Sequence, residues 1–319
     1  MAKPLLMPQK VPMTQPVAQR RLSAKSWGLL MLLALIWGGS FTANHTALAQ
    51  MPVASVVAFR VSVAAAVLWA YVLGAGLTVP RGWRFARDAL VLGVFNNVVP
   101  FSLIVWGQTH IPSGLAGILN ASTALFSVLV AAAVFPDERL GLSRLTGVFL
   151  GLAGVAVVIG PQALAHLDLT SLGQLAILGA GLSYAGSGAY GRSALKGIRP
   201  EVGAAAMLTA SAAIMLPTAL ILNGLPPLPQ PKTLAALLYL ALIASAFAYR
   251  LFYTILQQAG AGNLGLVTLL IAPVAVLLGA ALFGETLPPQ AFAGMALLTL
   301  GMIVLDGRPL RWLAGRFTS

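Results

Sequence analysis

Long apolar stretches, separated by short polar segments, constrain the fold of this chain more than any other feature. Each stretch has about 20 residues, the length that a helix needs to cross the hydrocarbon core of a bilayer. Of the 319 residues, 59% are hydrophobic and only 8% are charged, whereas a soluble domain carries about 25% charged residues. Because so few charges cannot cover a water-facing surface, we predict an all-α membrane protein.

The apolar stretches predict ten transmembrane helices with short loops between them. We place these helices at 27–48, 53–74, 88–109, 113–134, 143–161, 171–192, 201–222, 233–256, 262–283 and 290–306. The flanking segments, residues 1–26 and 307–319, are predicted to be cytoplasmic tails, the first of them disordered.

The basic residues predict the orientation of these helices. Sixteen of the nineteen Lys and Arg residues fall in segments on one side, Lys232 alone falls on the other, and Arg60 and Arg250 lie within spans. Cytoplasmic loops are enriched in Lys and Arg, so both termini are expected in the cytoplasm. A net charge of +12 could indicate nucleic-acid binding. The charges instead form short clusters between apolar stretches, so we expect a lipid bilayer and no nucleic acid as partner.

The sequence resembles itself at an offset of 147–148 residues. Gly114–Gly117 aligns with Gly262–Gly265, and Gly147 and Gly154 fall on Gly294 and Gly301. This predicts two repeats, 27–161 and 171–306, of five spans each. An odd number of spans inserts the two repeats in opposite orientations, an inverted-topology (5+5) arrangement. Such repeats are typical of alternating-access transporters, whose substrate site lies where the halves meet.

Several motifs of the two repeats are similar to those of one family. The first repeat has a Trp37-Gly38 pair, Pro52, Arg60 and a Glu138-Arg139-Leu140 corner, and the second has the stretch from Pro273 to Gly301 with Glu285. Together they resemble the EamA-type family of the drug/metabolite transporter superfamily. The second repeat departs from the pattern, with Tyr184-Ala185 in place of the Trp-Gly pair and no arginine matching Arg60.

This resemblance implies a ten-helix carrier that exports metabolites from the bacterial cytoplasm across the inner membrane. We expect a monomer that is not an enzyme and holds no cofactor. The resemblance also implies that helices 1, 3, 4, 6, 8 and 9 line the central cavity. Among family members, the aromatic content of the expected cavity is most similar to that of exporters of amino acids, including aromatic ones. A drug or another metabolite, such as a nucleoside or a quaternary amine, is the alternative substrate.

Polar and aromatic side chains within the spans are the candidates for substrate contact, because polar groups are costly in a membrane. An aromatic, amide-rich cavity would suit a zwitterion with an apolar side chain. The same residues could instead pack or bond neighbouring helices, and Arg250 could extend to the headgroups. Arg60 is expected to cap carbonyls or pair locally. The candidates are Trp37, Phe41, Asn44, Asn96, Asn97, Trp106, Asn120, Tyr184, Ser187, Tyr190, Tyr249, Arg250 and Tyr253.

Other classes of membrane protein fit the sequence less well. No His, Asp or Glu residues have metal-ligand spacing inside a span and no cysteine is present, which argues against a metal site or an intramembrane enzyme. No ring of charges or filter sequence indicates a channel. All seven acids fall at span ends or in loops, which favours transport that is not proton-coupled.

Two further features predict structural roles. Glu138 and Glu285 are expected to fasten loops to helices at corresponding corners of the two repeats. Gly147 and Gly151, four residues apart, are expected to allow close helix packing within the chain rather than between two chains.

Overall fold

The computed structural model describes residues 23–135, 141–160, 169–226, 228–259 and 266–306, and within these ranges it contains helices and no strands. The single-segment helices are α1 (Ala24–Leu48), α2 (Val53–Gly74), α5 (Leu142–Ile159), α6 (Leu169–Ala194), α7 (Pro200–Asn223), α9 (Leu266–Phe283) and α10 (Pro289–Asp306).

Three helices are built from consecutive segments. Helix α3 consists of Trp83–Gly93, a π-helical segment Val94–Val98, and Val99–Gly107. Helix α4 consists of Ser113–Asn120 and Thr123–Val134. Helix α8 consists of Pro231–Leu238, a second π-helical segment Tyr239–Phe247, and Ala248–Ala259.

Helices occur at each position where a span was predicted, and six of them are long and apolar enough to cross a membrane. These six are Ala24–Leu48, Val53–Gly74, Trp83–Gly107, Ser113–Val134, Pro200–Asn223 and Pro231–Ile255, and the apolar parts of α5, α9 and α10 are shorter. Large apolar side chains, among them Phe149 and Ile221 at 80% and 81% exposure, lie on outer surfaces. Such a surface suits lipid rather than water.

The first five and the last five helices make equivalent contacts: when two helices pack together, the two helices five places along the chain, counted cyclically, also pack together. Helix α1 packs on α8 and α9 as α6 packs on α3 and α4, and α2 contacts α8 as α7 contacts α3. Three further contacts, α2–α7, α4–α9 and α5–α10, each join two helices that are themselves five places apart, so the shift exchanges the two partners. The most extensive interfaces therefore join the first five helices to the last five.

The two π-helical segments also correspond in sequence. Adding 147 to Val94–Val98 gives 241–245, which lies inside Tyr239–Phe247. A π segment disturbs the regular backbone hydrogen bonds of a helix, and side chains from neighbouring helices bond its carbonyl groups. The indole of Trp37 in α1 donates to the Ala244 carbonyl at 3.2 Å, and the Ser183 hydroxyl in α6 donates to the Phe95 carbonyl at 2.6 Å.

Glycines bring α5 and α10 into backbone contact. A Cβ atom on Gly154 would lie 2.5 Å from the Leu298 nitrogen and 2.8 Å from the Gly294 carbonyl oxygen. Gly147 and Gly151 face Gly301 in the same way. This confirms the prediction that these glycines serve packing within the chain.

The carboxylate of Glu285 holds the start of α4. Its oxygens accept hydrogen bonds from the backbone N–H groups of Ser113 and Gly114, both at 2.9 Å, and from the Ser113 hydroxyl at 2.7 Å. The negative charge of a carboxylate at a helix N-terminus also interacts favourably with the helix dipole. The fastening role predicted for Glu285 is confirmed, whereas Glu138 lies outside the described residues.

Replacing Gly154 by alanine should destabilise the protein by about 1–3 kcal/mol, because the new methyl group would meet backbone atoms of α10 that cannot move aside. Thermal unfolding of the detergent-solubilised protein, followed by tryptophan fluorescence, measures the effect. Gly28→Ala is the matched control, since a Cβ atom there meets nothing within 4 Å. Equal melting temperatures for the two variants would contradict this account of the α5–α10 interface.

Candidate functional site

A hydrogen-bonded group of side chains joins α3, α6, α7 and α8 near the middle of these helices. We call Asn96, Asn97, Ser187, Ser211 and Tyr249 the amide–tyrosine cluster. Asn96 donates from Nδ2 to the Tyr249 hydroxyl at 3.0 Å, and that hydroxyl donates to Asn97 Oδ1 at 2.8 Å. Ser187 donates to Asn96 Oδ1 at 3.0 Å, and Asn97 Nδ2 donates to the Ser211 hydroxyl at 3.1 Å.

The π-helical segment of α3 makes this cluster possible. Asn96 and Asn97 are neighbours in sequence and both lie in that segment. Consecutive side chains diverge less around a π turn than around an α turn, because a π turn holds more residues. Both asparagines can therefore reach the single hydroxyl of Tyr249 on α8.

Arg60 of α2 lies buried beside the cluster, with 7% of its surface exposed. Its Nε donates to the Ser245 hydroxyl at 2.9 Å, and its guanidinium carbon lies 3.8 Å from the centre of the Phe101 ring. The guanidinium is also within electrostatic range of Tyr184 and Tyr249. Arg60 thus contacts α3 and α8, in addition to its own helix, and is close to α6.

Aromatic side chains join α1 to the part of α8 that holds Ser245, the hydrogen-bond partner of Arg60. Trp37 bonds the Ala244 carbonyl, and its ring centre lies 5.8 Å from that of Phe252. The Tyr239 hydroxyl donates to the Ile36 carbonyl at 2.8 Å. This approach of α1 to α8 depends on Gly39, where a Cβ atom would lie 2.6 Å from the Tyr239 hydroxyl. Trp37 and Gly39 therefore bring α1 against α8, whereas Gly38 faces α9, where a Cβ atom would meet Val274.

The structure brings together six of the residues predicted from the sequence to contact substrate. Asn96, Asn97, Ser187 and Tyr249 belong to the amide–tyrosine cluster. Tyr184 is within electrostatic range of Arg60, and Trp37 bonds the Ala244 carbonyl next to Ser245.

A second polar pair links α1 and α3. Asn44 donates from Nδ2 to Gln108 Oε1 at 3.0 Å, and Gln108 donates from Nε2 to the carbonyl of the buried Phe41 at 2.8 Å. Asn120 is buried in α4. Within the described ranges, the side-chain oxygens of Asn44 and Asn120 are buried and accept no hydrogen bond.

The remaining predicted residues form no hydrogen bond with the described residues of the cluster, and their contribution to substrate binding stays a prediction. Arg250 is exposed, with its guanidinium carbon 4.2 Å from the centre of the Tyr71 ring. The Tyr190 hydroxyl donates to Asp88 at 2.6 Å. Trp106 makes an edge contact with His110, and Tyr253 makes one with Phe252.

Arg60, Ser245, Tyr239 and Gln108 are the site residues that sequence reasoning missed. The expectation that Arg60 pairs locally is wrong, because its hydrogen-bond partner Ser245 lies 185 residues further along the chain. The signal that could have identified it is its charge, since an ionisable residue inside a span is a functional candidate by default. Ser245 and Tyr239 are polar residues within the predicted span 233–256, but neither carries a charge that would single it out from the other polar residues of that span.

Two surface recesses of the described structure contain no cluster residue. One, of about 530 Å³, lies between the loops that follow α2 and α6 and includes Gly76 and Arg199. The other, of about 460 Å³, lies between α2, α3 and α7 and includes Ser102 and Asn223. Among the described side chains, no three His, Asp or Glu residues are close enough to hold a metal ion. The cluster is thus a packed polar site whose groups bond one another.

Comparison with known proteins identifies the family. The profile of the EamA-like transporter family matches residues 25–160 and again residues 171–305. The chain belongs to the EamA-like transporter family. It is therefore a membrane transporter of the EamA type, within the drug/metabolite transporter superfamily that its motifs resemble.

Relatives of this EamA-like chain cover nearly its whole length. It is 27% identical over 290 residues to a probable terminal-alkyne amino-acid exporter of Streptantibioticus cattleyicolor, covering 91% of this chain and 96% of the relative. It is 27% identical over 302 residues to a probable amino-acid metabolite efflux pump of Salmonella typhimurium, covering 89% and 95%. An uncharacterized inner membrane transporter of Escherichia coli is 25% identical over 292 residues, covering 89% and 94%. These relatives and the apolar helices support a multi-pass inner-membrane protein.

A solved crystal structure has the same fold. It aligns with a TM-score of 0.64 at 20% sequence identity, covering 88% of this chain and 97% of the other. At this identity the likeness concerns the fold alone.

Replacing Tyr249 by phenylalanine should destabilise the protein by about 1–3 kcal/mol, because the part-buried Asn96 and the buried Asn97 lose their shared hydrogen-bond partner. Thermal unfolding in detergent measures the effect. Tyr253→Phe is the matched control, since the Tyr253 hydroxyl has no hydrogen bond to a described residue. If both variants melted at the same temperature, the cluster would not be a stabilising network.

Proposed function

We propose that this transporter exports amino acids with aromatic or apolar side chains from the bacterial cytoplasm by alternating access. The observation that carries the proposal is the composition of the central group, which consists of the amide–tyrosine cluster together with Arg60, Ser245 and Trp37. Two asparagines share the Tyr249 hydroxyl, the buried Arg60 bonds Ser245 of the same helix, and the Trp37 indole bonds the neighbouring Ala244 carbonyl. These residues come from both the first and the last five helices. The names of the two amino-acid exporting relatives support the same substrate class.

We further propose that α1–α5 and α6–α10 are inverted repeats and that all of them cross the membrane, with both termini in the cytoplasm. Three observations support this arrangement. The helix contacts recur under a shift of five helices. The π-helical segments fall at corresponding positions of α3 and α8. The family profile matches the chain twice. A substrate bound at the central group would then lie between the two repeats, as alternating access requires.

The chemistry of the central group suits a zwitterion. In this structure the amides and the Tyr249 hydroxyl bond one another, so a bound substrate would exchange those bonds for bonds to its carboxylate and ammonium groups. The rings of Trp37 and the tyrosines would contact its side chain. Helices α3 and α8 each carry cluster residues and a π-helical segment. Because π segments are common points of helix bending, these two helices are suited to rearrange around the substrate.

Single cysteines placed at equivalent positions should be labelled from opposite faces of the membrane. Thr78→Cys precedes α3 and Leu225→Cys precedes α8, the two positions are 147 residues apart, and the chain has no native cysteine. Both side chains are exposed. A membrane-impermeant maleimide added to intact cells with a permeable outer membrane should label Leu225→Cys only, and Thr78→Cys should react after the inner membrane is opened. Labelling of both from the same side would contradict the inverted repeats.

Purified protein in liposomes should exchange labelled phenylalanine, tryptophan or leucine for internal unlabelled amino acid. Trp37→Ala should lower this exchange about two- to tenfold, because a ring contact contributes roughly 0.5–1.5 kcal/mol. Trp27→Ala removes a more exposed tryptophan from the first turn of the same helix and should transport normally.

The same liposomes distinguish the alternative substrates and the mode of coupling. Exchange of a nucleoside or a quaternary amine without any amino-acid exchange would replace the proposed substrate class and leave the fold unaffected. The described acids Asp88, Glu201, Glu285 and Asp306 lie near helix ends or in a loop. A pH gradient alone should therefore not drive amino-acid accumulation, and accumulation under that gradient would show proton coupling.

A further inference from the structure

Arg60 is a buried charge whose counter-charge is missing from the described part of the chain. The one ion pair among the described residues joins Arg87 to Asp88. Glu285 is bonded to the start of α4, and Glu201 lies in the first turn of α7. A cation buried without an anion is strongly unfavourable, more so in a membrane than in water. Its retention at the centre of the helices therefore calls for an anion that binds there.

The contacts of Arg60 leave one edge of its guanidinium group available. The Nε–H group bonds Ser245, and the face of the group lies on the Phe101 ring. A guanidinium has five N–H donors arranged as a planar fork. The N–H groups on the two terminal nitrogens form no hydrogen bond to a described residue. A ring beneath the plane and an anchored Nε hold the fork in one orientation, which is the arrangement that binds a carboxylate through two parallel hydrogen bonds.

The surroundings of Arg60 further define the ligand. Tyr184 and Tyr249, within electrostatic range of the guanidinium, carry neutral hydroxyl donors and apolar rings. Asn96 and Asn97 reach the same Tyr249 hydroxyl. One fixed positive charge, several neutral polar groups and several rings would accommodate a molecule with one carboxylate and an apolar body.

We propose that Arg60 is the carboxylate-binding residue of the transport site and that Ser245 positions it. This inference rests on the proposed function and assigns the contact with the substrate carboxylate to one residue, which excludes the alternative substrates that lack a carboxylate. The decarboxylated amine and the carboxamide of an amino acid, which keep its side chain and ammonium group, are poor ligands. Arg250, exposed over the Tyr71 ring, lacks the burial that makes an arginine selective for an anion.

The test compares three inhibitors of labelled phenylalanine exchange in liposomes: phenylalanine, phenylalaninamide and phenethylamine. For the unaltered protein, the half-inhibitory concentrations of the amide and the amine should exceed that of the acid by at least about 100-fold. A site built to bond one polar group rejects analogues that lack it by factors of this order or larger. In Arg60→Gln the ratio should fall to near 1. A purely structural arginine would lower transport without changing this ratio.

Matched variants separate substrate contact from loss of folding. Arg192→Gln removes the same charge from an exposed arginine that lies 4.4 Å from the Phe135 ring centre, and its ratio should equal that of the unaltered protein. Arg60→Lys keeps the charge but not the fork, so it should keep a preference for the acid with weaker binding. Ser245→Ala should raise the half-saturation concentration more than it lowers the maximal rate. Arg60→Lys decides the question if Arg60→Gln fails to fold, as judged by size-exclusion chromatography.

A second readout, ligand-induced thermal stabilisation in detergent, keeps this inference separate from the proposed function. If the unaltered protein exchanges phenylalanine but Arg60→Gln and Arg60→Lys keep its full preference for the acid, the function stands and the role of Arg60 is overturned. If no amino acid is exchanged, the proposed function fails. Arg60 is then judged by a panel of other monocarboxylates, one of which should stabilise the unaltered protein and not Arg60→Gln. Failure of every carboxylate to stabilise the protein would overturn the inference.

Discussion

The hydrocarbon core of a membrane cannot hydrogen-bond a peptide group, and the rest of this structure follows from that constraint. Every backbone N–H and C=O group must find a partner within the protein, which favours continuous helices. The two π-helical segments depart from this requirement, because they disturb the regular backbone hydrogen bonds of α3 and α8. Their carbonyl groups are bonded by Trp37 and Ser183 from neighbouring helices, and within α8 the Ser245 hydroxyl bonds the Leu240 carbonyl. The departures from regular helix thus coincide with the places where helices are joined.

The same constraint explains why polar side chains are concentrated at the centre. Because lipid chains offer no hydrogen-bond partners, the asparagines, serines and tyrosines face the protein interior and bond one another. Ser245 has two roles there, because it satisfies the backbone of a π segment and also accepts from Arg60. The position of the charge and the local shape of α8 are therefore coupled. A change in the π segment would move the hydroxyl that orients the arginine.

The sequence predicts the positions of the individual helices well, but it does not predict which helices pack against each other. The apolar stretch 113–134 coincides with α4, and the Glu285 corner and the packing of Gly147 and Gly151 were predictable because each depends on a local motif. Helical periodicity places residues on a face of their own helix but does not say which helix packs against that face. Arg60 and Arg250 look alike in sequence, yet only Arg60 is buried at the helix contacts.

The amide–tyrosine cluster shows a second reason why prediction stopped short. Its asparagines were candidates from the sequence, but their joint contact with Tyr249 depends on the π-helical segment of α3. No residue in Val94–Val98 marks that segment as irregular. Pro100, two residues beyond the segment, has no N–H group to bond the Asn96 carbonyl, and the segment also packs against α6 and α7. Periodicity within one helix represents neither effect.

The glycine contact between α5 and α10 has a consequence for how the chain is made. These glycines leave the backbone of α5 without side-chain cover, and the surface that covers it lies in α10, the last described helix. If α5 and α10 both cross the membrane, as proposed above, α5 enters it during synthesis long before α10 exists, and its bare face must meanwhile be shielded by lipid or by the insertion machinery. The packing of the first five helices is therefore completed only when α10 has been inserted. A chain truncated before α10 would expose the glycine surface of α5, to which other helices in the bilayer could bind.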